Sequence, residues 1–182
     1  MALKCRPSIA YGLALGAVLA IGCGDAVQDK EREGLGPEAP GVRPGPLHRP
    51  GQPCLVCHDG GGPGSSDFSL AGTVYQTAAS KEPMADVLVS IIDSKGREYR
   101  TGTNCAGNFF VMKADYEPVW PAFIKLGYGQ TGGQPFTWPM SSPIYREGSC
   151  AHCHMDPPGP EAPGHVYMFP PEVAVPKGQC QQ

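Results

Sequence analysis

The sequence predicts a mainly β protein built around one small antiparallel sandwich. The chain has 182 residues, of which 41% are hydrophobic, and this suits one modest domain with accessory segments. Its 25 glycines and 21 prolines indicate many turns and few helices. Between Phe68 and Tyr128, short segments of alternating apolar residues are separated by turn residues, which is typical of all-β domains.

Five segments carry the strand pattern. They are residues 68–75, 86–92, 97–101, 109–112 and 121–126. The second is apolar almost throughout, which predicts a strand buried on both faces or nearly so. The sequence Asp-Ser-Lys-Gly after it predicts a tight turn. Several short strands at this interval favour a sandwich, which we assign to residues 67–130.

Three parts of this region resemble the carboxypeptidase regulatory-like domain, a transthyretin-like β-sandwich. The matching stretches are Ala71–Tyr75, Val87–Gly96 and Thr103–Val111, within about a third of the chain. The resemblance implies an Ig-/transthyretin-like sandwich. It does not imply peptidase activity, and the sequence contains neither an H-x-x-E pair nor a serine nucleophile elbow.

The N-terminus has the pattern of an export signal. Lys4 and Arg6 precede an apolar stretch at residues 9–21, which is shorter than the 20 or so residues that span a bilayer comfortably. We therefore predict a signal peptide with an N-terminal signal helix at residues 1–22. An uncleaved membrane anchor is the alternative.

The end of this stretch, Leu-Ala-Ile-Gly before Cys23, resembles a bacterial lipobox, although Ala20 stands where leucine is usual. The resemblance implies lipidation of Cys23 and anchoring to a bacterial envelope membrane, facing the periplasm or the outer surface. An ordinary cleaved signal is the other possibility. Residues 23–53 are rich in glycine, proline and charge, which predicts a flexible linker between membrane and domain.

Two copies of the pattern C-x-x-C-H flank the predicted sandwich. They consist of Cys54, Cys57 and His58, and of Cys150, Cys153 and His154. This is the attachment motif of c-type haem. Two thiols at this spacing add to the two vinyl groups of one porphyrin, and the histidine binds the iron as proximal ligand. We therefore predict two covalently bound haem c groups, one in residues 54–66 and one in residues 131–182.

Two other uses of the four motif cysteines remain open. They could form a single tetrahedral zinc site, which needs four thiolates but neither histidine. They could also form two C-x-x-C disulfides, although no thioredoxin-like βαβ pattern surrounds them. Exported thiols tend to oxidise, which disfavours zinc.

The sixth ligand of each iron would come from another histidine or from a methionine. His48 lies ten residues before His58 and His165 eleven residues after His154, so we expect these two as distal ligands. His152 lies between two attachment cysteines, where strain opposes binding. The methionine alternatives, which would raise the potential, are Met140, Met155 and Met168. An open iron is also possible.

Two cysteines are left over once signal, lipid and motifs are assigned. Cys105 and Cys180 form an even remainder in an oxidising compartment, which permits one disulfide. A closed loop of that size would stabilise the fold by about 4 kcal/mol. Unpaired thiols are the alternative.

Together these patterns predict an exported cytochrome that carries electrons to or from redox proteins of the cell envelope. We expect no enzymatic activity, because no substrate pocket or acid–base pair is evident, although a haem peroxidase or sensor with one open iron is not excluded. The net charge of −3 disfavours nucleic-acid binding. The alternative is an envelope binding or structural module whose sandwich binds a partner and whose C-x-x-C pairs are disulfides or a zinc site.

Overall fold

The structure is a computed structural model that describes residues 25–129, 136–171, 173–175 and 180. The predicted signal peptide at residues 1–22 and the predicted lipidation site Cys23 lie outside the described residues. The described part contains eight short strands and three short helices, so the mainly β prediction is confirmed. No helix in this part is long and apolar enough to cross a membrane.

The elements follow one another along the chain in a simple order. The helices are α1 (Ala26–Gly34), α2 (Leu55–His58) and α3 (Cys150–Cys153). The strands are β1 (Phe68–Thr73), β2 (Tyr75–Thr77), β3 (Leu88–Asp93), β4 (Glu98–Gly102), β5 (Asn108–Met112), β6 (Ala122–Tyr128), β7 (Phe136–Pro139) and β8 (Tyr167–Phe169). The predicted first strand is thus divided at Val74 into two strands that belong to different sheets.

The strands form three small sheets. Strands β1 and β5 make an antiparallel pair, with Leu70 opposite Val111. A second antiparallel sheet has the order β4-β3-β6-β7, with Ile91 opposite Ile124. The third sheet pairs β2 in parallel with β8, an arrangement that the sequence did not predict because three apolar residues in a proline-rich tail carry little strand pattern.

One hydrophobic core joins the three sheets. Its fully buried members come from all of them, for example Val111 in β5, Ile91 in β3 and Phe169 in β8. Strand β3 contributes alternate residues to this core, while Leu88 and Ile92 are 44% and 36% exposed. The prediction that this strand is buried on both faces or nearly so is therefore wrong for Leu88 and Ile92, although Ser90 on the same face is 2% exposed.

The segment predicted to be a flexible linker contains ordered structure. Helix α1 begins after Asp25, whose carboxylate accepts hydrogen bonds from the backbone amides of Val27 and Gln28. Arg32 and Asp29 form an ion pair one turn apart. An N-cap and an ion pair stabilise a helix only modestly, so contacts with the rest of the fold are needed to hold it. The prediction that residues 23–53 form a flexible linker throughout is therefore wrong for the part that forms α1.

A disulfide fastens the C-terminal tail to the sheet. Cys105, in the turn before β5, is bonded to Cys180, and their Cα atoms lie 5.5 Å apart. The bond closes a loop that contains β6, β7, the second C-x-x-C-H motif and β8. The tail is thereby tied to the same turn that begins β5.

Asp93, at the end of β3, organises the predicted turn. Its carboxylate accepts hydrogen bonds from the backbone amides of Lys95, Arg97 and Val119, and from the Arg97 side chain. Burial alone would raise the pKa of Asp93, but these hydrogen bonds outweigh it and lower the pKa from 3.8 to about 2. The folded state therefore favours the charged carboxylate.

We expect Asp93→Asn to lower the free energy of unfolding at neutral pH. A depressed folded-state pKa contributes stability that is present above pH 4 and is lost as the pH falls toward 2. The stabilities of wild type and variant should therefore converge over that interval in denaturant titrations. The exposed Asp115→Asn is the control and should show no such convergence. A constant difference from pH 7 to pH 2 would contradict the prediction.

Candidate functional site

Each C-x-x-C-H motif forms one turn of helix. Cys54 precedes α2 as its N-cap, and the second motif is α3 followed by His154 as its C-cap. Residues three apart in a helix lie on the same side, so each turn presents its two cysteines together. All four motif cysteines are free thiols, in contrast to the disulfide-bonded pair of Cys105 and Cys180.

The two motif histidines have the same hydrogen-bond arrangement. Nδ1 of His58 lies 2.9 Å from the backbone oxygen of Ser66, and Nδ1 of His154 lies 2.9 Å from that of Gly164. A carbonyl oxygen can only accept, so Nδ1 donates in both rings, and in the neutral form of each ring Nε2 has the lone pair that can bind a metal. Metal-binding histidines are held in this way, by a hydrogen bond from the nitrogen that does not bind the metal.

The sequence folds tightly around His58. Its ring stacks on Phe68 of β1, with centroids 4.4 Å apart, and Phe68 stacks in turn on Phe110 of β5 at 5.0 Å. The glycine-rich loop after the motif returns so closely that a Cβ on Gly64 would meet the His58 ring. These glycines therefore permit close packing of a loop against the motif.

A cavity of about 710 Å³, here called the first cavity, adjoins the first motif. Cys54, Cys57 and His58 all line it. The remaining wall comes from His48 and neighbouring residues of the segment before the motif, from the glycine-rich loop, and from aromatic residues of β1 and β5. Its size lies within the range of about 300–1,000 Å³ that is usual for ligand sites.

A separate cavity of about 370 Å³, here called the second cavity, adjoins the second motif. Cys150, Cys153 and His154 all line it. Its remaining wall is mainly apolar and comes from β6, from β7 and the residues after it, and from the segment around His165. Each motif thus presents two thiols and one histidine to a cavity of its own.

The two sites are neighbours. The Ala71 amide of β1 donates a hydrogen bond of 2.9 Å to the Gly148 oxygen, which brings the second motif onto this strand. At Gly148 an added Cβ would meet the Ser69 oxygen and would lie 3.0 Å from Leu55 of the first motif. Phe109 lines both cavities. One strand therefore carries both C-x-x-C-H turns.

Helix α1 contacts both motifs. Its Arg32 donates a hydrogen bond of 2.8 Å to the Val56 oxygen, and its Gln28 donates one of 2.7 Å to Asp59. On the other side, Glu31 lies 2.7 Å from Nε2 of His152 in the second motif. The helix that the sequence analysis missed thus bridges the two sites, and the Asp25 N-cap was the signal that could have revealed it.

His152, which lies between the second pair of thiols, contacts two carboxylates and is therefore not free to bind a metal. Its Nδ1 lies 3.1 Å from Glu147, and its Nε2 contacts Glu31. The hydrogen bond to Glu147 outweighs partial burial and, with the contact to Glu31, raises the pKa of His152 to about 9. Both nitrogens are therefore protonated at neutral pH and donate to carboxylates.

The arrangement of the thiols does not suit a tetrathiolate zinc site. Burial raises the pKa of Cys54 to about 11 and that of Cys150 to about 12, so both are protonated thiols at neutral pH when no metal is bound. Among the described residues, no three or more histidine, cysteine or acidic side chains are gathered so that they could hold a metal ion.

His48, one of the two expected distal ligands, faces the first motif. Its ring centroid lies 5.9 Å from that of His58, at an interplanar angle of 74°. Its Nδ1 is 3.5 Å from Glu38, and no described residue forms a hydrogen bond to its Nε2. Asn108 at the start of β5 holds this segment through hydrogen bonds to the oxygens of His48, at 2.9 Å, and Pro46, at 3.3 Å.

His165, the other expected distal ligand, has one nitrogen hydrogen-bonded and the other facing a carboxylate. Its Nε2 lies 3.0 Å from the backbone oxygen of Thr77, which requires that nitrogen to donate. Its Nδ1 faces Asp156 at 3.8 Å, and its ring packs on Tyr75 with centroids 4.5 Å apart. His165 lines the second cavity, but its ring is held by these contacts with β2 and Asp156.

Comparison with known proteins identified no relative of this chain. No protein-family model, no curated protein and no solved structure matches the chain.

We expect Asn108→Ala to loosen the segment that carries His48. The side chain also accepts a hydrogen bond of 2.7 Å from Thr73, and it is buried, so its loss should cost about 1–3 kcal/mol of folding free energy. Denaturant titration should show this loss, and hydrogen exchange should be faster in residues 47–49. Gln76→Ala in β2 is the control, because the side-chain amide of Gln76 forms no hydrogen bond with another described residue. Equal behaviour of the two variants would contradict the assigned role of Asn108.

Proposed function

We propose that the protein is an exported dihaem c-type cytochrome that carries electrons at the cell envelope. The observation that carries this proposal is the repetition of one arrangement at two sites. At each site, two free thiols and a histidine line one cavity, and a carbonyl oxygen binds Nδ1 so that Nε2 is free for a metal. This repetition supports haem attachment, because two C-x-x-C disulfides would make no use of either histidine.

The residues present fit two covalently bound haem groups. Cys54 and Cys57 would form the thioether bonds at the first site, and Cys150 and Cys153 those at the second. His58 and His154 would bind iron as proximal ligands. Ser149 lines the second cavity, and its buried hydroxyl has no hydrogen-bond partner among the described residues, so it is available to a bound group. Bound haem supplies reversible one-electron chemistry.

His48 is suited to complete the first site. The ring centroids of His48 and His58 lie 5.9 Å apart. Nδ1 of each ring already contacts another group, so Nε2 is the nitrogen that would be left to bind a metal in both rings. We therefore propose bis-histidine ligation at the first site.

The chain's own part in electron transfer is to hold the two sites close together and shielded. Strand β1 and helix α1 contact both motifs, and Phe109 contributes to both cavity walls. Apolar walls exclude water, which reduces the rearrangement of solvent that accompanies a change of charge on the metal and helps to set its potential. The protein would exchange single electrons with redox proteins of the envelope through small, weak interfaces.

The remaining parts of the proposal concern the scaffold and its location. We propose that β1 to β7 form the transthyretin-like sandwich of a carboxypeptidase regulatory-like domain. The signal helix at residues 1–22 would direct export, and lipid on Cys23 would anchor the protein to an envelope membrane. Because α1 begins at Ala26, only a few residues would then separate the lipid from the helix that bridges both sites.

Replacing the thiols of one motif should remove one haem. We expect Cys54→Ser/Cys57→Ser and Cys150→Ser/Cys153→Ser each to halve the haem-to-protein ratio, measured from the reduced absorption spectrum after export in cells with a haem-attachment system. Cys105→Ser/Cys180→Ser is the matched control and should keep the full ratio. A colourless wild-type protein, or a variant pair with unchanged haem content, would overturn the proposed function.

A further inference from the structure

The two sites differ in the sixth ligand that the chain offers. We propose that His48 completes the first site and Met140 the second, so that the two sites take up electrons at clearly different potentials. This inference rests on the proposed function and assigns a ligand that the sequence left among several alternatives.

At the first site, histidine is the better-placed donor. The His48 ring faces that of His58 and has a free Nε2, while Asn108 fixes the backbone that carries it. Met112 also lines the first cavity, from the end of β5, but the side chain whose ring faces that of His58 is His48. The geometry thus favours two imidazoles here.

At the second site, the histidine and carboxylate donors are occupied. His165 donates from Nε2 to Thr77 and faces Asp156 with Nδ1. Glu147 accepts hydrogen bonds from the Ser149 amide, at 2.6 Å, and from His152. Using either side chain as a ligand would break these contacts within the fold.

Met140 is the cavity-lining donor that has no such engagement. It follows β7 directly, is half-buried, and lines the second cavity together with His154. Its amide donates a hydrogen bond of 2.9 Å to the Ile124 oxygen, so the backbone that carries the thioether is fixed to the four-stranded sheet. A neutral, soft thioether needs no proton to be removed before it binds iron.

The other two candidate methionines are less suitable. Met168 in β8 is fully buried in the hydrophobic core, and Met155 is 46% exposed. Neither lines the second cavity. Of the three methionines that the sequence offered, Met140 alone shares a cavity with His154.

Unequal ligation has a direct electrochemical consequence. A methionine–histidine pair gives iron a higher potential than two histidines do. The second site should therefore be reduced first, in a step well separated from that of the first site. The chain would hold two unequal carriers side by side, which gives electrons a preferred position at the second motif.

The test uses the exported, haem-loaded protein and three variants. A redox titration followed by absorbance should show two steps in the wild type. Met140→His should move the upper step down toward the lower one, with low-spin iron retained. Met140→Leu should abolish the far-red absorption band of methionine-bound ferric iron and should allow carbon monoxide to bind one reduced iron per chain. Met155→Leu is the control and should leave both steps and the band unchanged.

The outcomes separate this inference from the proposed function. The protein could carry two haems while Met140→Leu gives the same spectrum and titration as the wild type. That result would overturn Met140 as the ligand and leave the cytochrome proposal standing. Carbon monoxide binding to one iron of the wild type would overturn it as well, since the second site would then be open. A fourth variant, His165→Leu, gives a further check. If it lost the methionine band while Met140→Leu kept it, Met140 would likewise be overturned as the ligand. Absence of haem from the wild type would defeat the proposed function itself.

Discussion

The contact between residues 148–150 and strand β1 is the constraint on which the arrangement of the molecule depends. It brings together two motifs whose first cysteines lie far apart in the chain. Gly148 and Gly72 permit it, because a Cβ at Gly148 would meet the Ser69 oxygen and one at Gly72 would lie 2.7 Å from the Cys150 sulfur. With larger residues the second motif could not lie against this strand, and the two cavities would not share Phe109.

Around this contact, the fold supplies rigidity from several directions. The disulfide between Cys105 and Cys180 closes the loop that contains the second motif, and β8 pairs with β2 beside it. Helix α1 bridges the two turns through Arg32 and Glu31. Pre-organised positions for thiols and histidines matter for covalent attachment, because a site built on rigid elements keeps its ligands in place.

The sequence was most informative where local chemistry decides the outcome. The mainly β content followed from alternating apolar residues and turn glycines. The two C-x-x-C-H motifs were found from their spacing, and haem attachment by them stays a prediction. The partners of the motif histidines were not predictable, because Ser66 and Gly164 bind through backbone oxygens that every residue possesses. The engagement of His165 with Thr77 depends on a parallel strand pair that brings distant residues together. Helix α1 was missed because its stability depends on tertiary contacts and not on its composition.

The central claim is that each C-x-x-C-H turn carries its own covalent haem. Peptide mass spectrometry of the exported protein, made in cells with a haem-attachment system, tests this most directly. The account predicts one haem on the peptide containing Cys54 and Cys57, and one on the peptide containing Cys150 and Cys153. Motif peptides that carry free or disulfide-linked cysteines, with no haem on either, would contradict it.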